Sequence, residues 1–103
     1  EARPLLNADD DGYRLGLLAM NIGVVHDLRE DYATAVVSYR AALTYFTRLD
    51  DRFNQARATI NMGLAYENMD RYREAETAYR QAETVFAAAG AKLEEGRAAL
   101  NLG

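Results

Sequence analysis

Three asparagines stand at one fixed interval, in Asn21-Ile22-Gly23, Asn61-Met62-Gly63 and Asn101-Leu102-Gly103, forty residues apart. A carboxamide carries an acceptor oxygen and two N–H donors, the functions needed to hold an extended peptide backbone. Arg57 and Arg97 stand four residues before Asn61 and Asn101, and a guanidinium can grip a carboxylate with two parallel hydrogen bonds. Chemistry of this kind is recognition. The same groups have internal uses as well: an inter-repeat hydrogen bond or plain hydration for the asparagines, and pairing with a surface Glu or Asp for the arginines.

Residues suited to catalysis are sparse. His26 is the only histidine and the chain has no cysteine, so no thiolate and no nucleophile–base pair built on two such groups is available. His26 occupies the position that Tyr66 fills one interval later, which fits a packing aromatic with one polar edge. Asp27 and Asp31 are its only neighbours able to ligate a metal. Asp9-Asp10-Asp11 lacks the glycine and terminal glutamate spacing of a calcium loop. Gly12, Gly16 and Gly23 are too dispersed for a phosphate loop. An enzyme is not expected, and neither a cofactor nor a metal.

Of 103 residues, half are hydrophobic and 27% charged, the balance of a globular domain able to form a modest core. A net charge of −4 argues against nucleic acid, whose phosphates must be neutralised by excess Lys and Arg. It argues against anionic membranes too, and no apolar run approaches a membrane span. Absence of cysteine is compatible with a cytoplasmic location. The chain opens Glu1-Ala2-Arg3-Pro4 without an initiator methionine, so it is expected to be a segment of something longer.

The elements that must carry these side chains follow from periodicity. Shifting residues 13–52 onto 53–92 also superposes Tyr32 on Tyr72, Ala35 on Ala75, Tyr39 on Tyr79, Ala42 on Ala82 and Phe46 on Phe86. Leu15, Leu18, Ile22, Val25 and Leu28 recur at helical spacing, as do Ala35, Tyr39, Ala42 and Phe46. Helices are therefore expected over 13–28, 32–49, 53–69 and 72–89. The polar turn Arg29-Glu30-Asp31 makes antiparallel neighbours of the first two, Asp70 is a candidate N-cap and Gly90 a stop. Residues 1–12 read as the end of a preceding unit and a polar link through Asp9 to Gly12; 93–103 open a third pair. Glycine inside a helix costs about 1 kcal/mol relative to alanine, so Gly23 and Gly63 call for close contacts, with Tyr39 and Tyr79 as the facing rings.

One set of positions gathers these features: Thr59, Met62, Gly63, Tyr66, Ala75, Tyr79 and Ala82, with Ala19, Ile22, Gly23, His26, Ala35, Tyr39 and Ala42 one interval earlier. The pattern resembles the tetratricopeptide repeat, in a forty-residue form like that of kinesin light chains and of bacterial signalling and scaffold proteins. Small residues replace the family's opening Trp, and its closing Pro is missing at Thr47 and Ala87. The resemblance implies an all-α solenoid of antiparallel helix pairs in a right-handed superhelix, the first helix of each pair lining the concave face. It implies a ligand-facing stripe of Leu17, Asn21, Val24 and Leu28, then Arg57, Asn61, Leu64 and Asn68, then Arg97 and Asn101. The partner would be a peptide or protein segment, within a larger regulatory or scaffold protein. Alternatively, the units only stack on further repeats or on a second copy, through Leu93, Leu100 and Leu102.

Overall fold

Three corners twenty residues apart divide the described residues into four helices. The computed structural model describes residues 3–90, with α1 over Arg3–Leu28, α2 over Tyr32–Arg48, α3 over Arg52–Asn68 and α4 over Tyr72–Gly90. No strand occurs among the described residues. The second, third and fourth helices begin and end within a residue or so of the periodicity. The expected third unit, from Leu93, lies outside the described residues.

Each corner is built identically from the backbone. Glu30, Asp50 and Asp70 take positive φ, at 65°, 57° and 64°. The amide after each reaches back to close the helix: Asp31 N–H donates to His26 C=O at 2.8 Å, Asp51 to Phe46 at 2.9 Å and Arg71 to Tyr66 at 2.8 Å. The left-handed residue itself donates to Asp27, Thr47 or Glu67. Together these bonds satisfy carbonyls that the helix end would otherwise leave unpaired. Glycine is the usual occupant of such a position; an acidic residue there costs about 1 kcal/mol. Asp70 is thus not the N-cap of α4. It sits in the left-handed corner, and its carboxylate accepts from the Tyr72 hydroxyl at 2.8 Å.

A second correction concerns residues 9–12, expected as a link and found inside α1. Pro4 is the only proline and falls in the first turn of α1, where its missing N–H breaks no intrahelical bond. Nothing later forces a stop. A Cβ at Gly12 would lie 3.7 Å from Leu49, ordinary contact, so this glycine marks no break.

Successive helices pack in chain order: α1 on α2, α2 on α3, α3 on α4. The core gathers around α2. Ala35, Tyr39, Ala42 and Phe46 line one of its stripes, and Val36 the next; all five are buried, in one cluster with Met20 of α1 and Ala58, Met62 and Ala65 of α3. The expected glycine contacts are present. A Cβ on Gly63 would stand 2.6 Å from the Tyr79 ring, and one on Gly23 would collide with the ring of Tyr39. A third such hole escaped the sequence: a Cβ on Gly16 would stand 2.7 Å from Phe46, whose ring also meets Tyr13 edge-on at 6.1 Å.

Candidate peptide-binding surface

The first helices of the two pairs, α1 and α3, carry the stripe singled out in the sequence. Asn21, Val24 and Leu28 are exposed on α1, while Leu17 is half-buried and packs against the core cluster. On α3, Arg57, Leu64 and Asn68 are exposed and Asn61 is half-buried. Arg97 and Asn101 lie outside the described residues. Among those described, the carboxamides of Asn21 and Asn61 make no side-chain hydrogen bond, which leaves their donors and acceptors to solvent or a ligand.

Arg57 is oriented from within. Asp51 caps α3, its Oδ1 accepting from the Asn54 amide at 3.2 Å and its Oδ2 from Asn54 Nδ2 at 2.8 Å. Asn54, 7% exposed, in turn accepts from Arg57 Nη1 at 3.1 Å. Two steps of three residues bring Asp51, Asn54 and Arg57 onto neighbouring positions of one face, so the helix cap fixes the guanidinium one turn before Asn61. Arg57 joins no ion pair among the described residues, and most of its five N–H donors remain available.

His26 is half-buried, with Nδ1 3.7 Å from Asp31 Oδ2. Among the described residues no group of three or more His, Cys, Asp or Glu side chains comes together as a metal site would require. Tyr39, buried, and Tyr79, half-buried, have a structural role. Tyr39 donates its hydroxyl to Asp27 Oδ2 at 2.5 Å and Tyr79 donates to Glu67 Oε1 at 3.1 Å. Burial, then the hydrogen bond and charge of Asp27, hold the Tyr39 hydroxyl well above the ordinary phenol range. Burial and Glu67 push Tyr79 up to about 12. Both acids sit in the last turn of their helix, where the macrodipole disfavours a negative charge; the tyrosine O–H offsets this. The signal was available in the sequence, since Asp27 and Glu67 are forty residues apart, each four residues past a mid-helix glycine.

Two open hollows of about 370 and 380 Å³ lie elsewhere, between α2 and α4 with α3 at their base. Arg40, Tyr66 and Arg73 border the first, Leu43, Thr59 and Val85 the second, and Gln81 both. Arg40 Nη2 donates to the Tyr66 hydroxyl at 2.9 Å across the first. No residue of the predicted stripe lines either, so these hollows and the row of carboxamides occupy different surfaces.

Comparison with known proteins gives one match, to the family model described as Tetratricopeptide repeat, over residues 14–88. That span runs from the α1 turn before Gly16 to the last turns of α4. No curated protein and no solved structure matches the chain. No helix among the described residues is long and apolar enough to cross a membrane.

Proposed function

We propose, from the premise that this chain belongs to the tetratricopeptide repeat family, that it binds a peptide or protein segment along the α1/α3 face. Membership makes it one of a family of protein–protein interaction modules. The ligand in this proposal is an extended or helical segment contacting Asn21, Val24, Arg57, Asn61, Leu64 and Asn68, with Arg97 and Asn101 continuing the row. One observation carries it: at a common repeat position Asn21 and Asn61 keep their carboxamides unpaired among the described residues, with Arg57 held one turn from Asn61 by the Asp51–Asn54 relay. Apolar Val24 and Leu64, exposed at 41% and 46%, would supply the burial that neither carboxamide provides.

Peptide-display selection on the parent chain and on Arg57→Ala/Asn61→Ala tests the proposal, once circular dichroism shows equal helicity. A shared motif enriched on the parent and lost on the variant supports it; an equal motif on both moves the site off α3. The competing reading, a module that only stacks on repeats or on a second copy, rests on Leu93, Leu100 and Leu102, outside the described residues, and predicts enrichment on neither.

A further inference from the structure

The forty-residue shift that aligns the pairs leaves one stripe without its counterpart's cover. On α3, Ala58, Met62 and Ala65 pack in the core around α2 at 0%, 8% and 0% exposure, and Gln55, half-buried, continues their row along the hollow bordered by Leu43 and Thr47. The equivalents on α1 are Leu15, Leu18, Ile22 and Val25, and these are 41%, 52%, 41% and 46% exposed. The bulkier and more apolar version of the stripe is the one left open. Its spacing of three, four and three residues is the seam of a coiled coil.

We propose that this stripe is a self-docking surface, on which α1 of a second copy lies antiparallel about a two-fold axis. The face that α2 turns to α3 has no apolar counterpart on α4 on which this stripe could stack head to tail. Val36 and Leu43, which join the core around α2, correspond in α4 to Glu76 and Glu83, both exposed, with Glu76 paired to Arg80 at 3.0 Å. That acidic face cannot seat four aliphatic side chains. The stripe on α1 does complement itself. It is symmetric about residue 20, so an antiparallel pair sets Leu15 against Val25 of the second copy and Leu18 against Ile22. The same register brings Asp11 opposite Arg29 at both ends, and both are exposed and in no ion pair among the described residues. A two-fold contact of this kind closes on itself and stops at a dimer.

Sedimentation equilibrium on the whole chain tests this. A monomer–dimer equilibrium is expected, and Leu18→Glu/Ile22→Glu should raise its dissociation constant at least about a hundredfold, because each copy would bury two unpaired carboxylates. Both positions are surface-exposed in the single chain, so helicity should be retained. Direction is read separately. The chain has no cysteine, and in Leu15→Cys/Val25→Cys the two thiols lie about 15 Å apart on one helix, beyond disulfide reach within a copy. Oxidation should link residue 15 of one copy to residue 25 of the other. A monomer at all concentrations, a dimer indifferent to the glutamates, or links only between like-numbered residues would each overturn the proposal.

Discussion

The two helix pairs share a template and differ in how firmly they close it. Tyr39 and Phe46 in the first are 1% and 0% exposed. Their equivalents Tyr79 and Phe86 are looser: Tyr79 is half-buried and Phe86 is 37% exposed, touching Phe53 at a ring distance of 6.2 Å. Residue type and repeat position are equal, so neither explains the difference. What differs is the neighbourhood. α2 is packed between α1 and α3, whereas α4 packs extensively against α3 alone among the described helices. Phe46 also has the hollow at Gly16 to enter, while Ala56 stands at the equivalent place below Phe86. Burial in a repeat array is a property of the stack, with the single unit supplying only shape.

Ring truncation should show the largest contrast. Phe46→Ala removes a fully buried ring and is expected to cost about 3–5 kcal/mol, against about 1 kcal/mol for Phe86→Ala, much of whose ring already meets water. Equal shifts in denaturant midpoint would refute a difference in closure. Filling the glycine holes comes next. Gly23→Leu should cost about 3 kcal/mol, because buried Tyr39 has nowhere to go, and Gly63→Leu about 1 kcal/mol, because Tyr79 can swing outward. If both cost the same, the rings yield equally and exposure is a poor guide. Smallest is the contrast between the caps. Asp51→Ala is expected to cost about 1 kcal/mol, whereas Asp31→Ala should be near neutral, since the Asp31 carboxylate makes no cap hydrogen bond. Thermal melts resolve that difference, and a loss at Asp31 equal to that at Asp51 would show that the backbone corner, not the side chain, sets helix entry.

Much of this architecture was legible because it is repeated. The interval separating Asn21 from Asn61 also fixed the glycines, the rings facing them and the helix limits near Tyr32 and Tyr72. The missed features are those that depend on geometry without a residue-type signature. A left-handed corner normally advertises itself by glycine; with Glu30, Asp50 and Asp70 in that role, Asp70 looked like a cap. Asp9 to Gly12 looked like a link because the same shift places them on Leu49 to Arg52, a true corner. A corner needs a helix to turn away from, and α1 instead runs on from Arg3. Gly16 lay outside the tripeptide pattern, and its role appears only when Phe46 is placed over it. For the candidate surface, the stripe's exposure at Asn21, Val24, Arg57 and Leu64 followed from helical period, while the core packing of Leu17 required knowledge of which way α2 crosses.

Each corner at Glu30, Asp50 and Asp70 is self-contained, completed by amides and carbonyls within six residues of itself. Such a chain can lengthen by unequal recombination without any special junction sequence. A crossover that duplicates forty residues, begun at any phase, rebuilds a whole corner at the new seam and restores the alternation of helix faces.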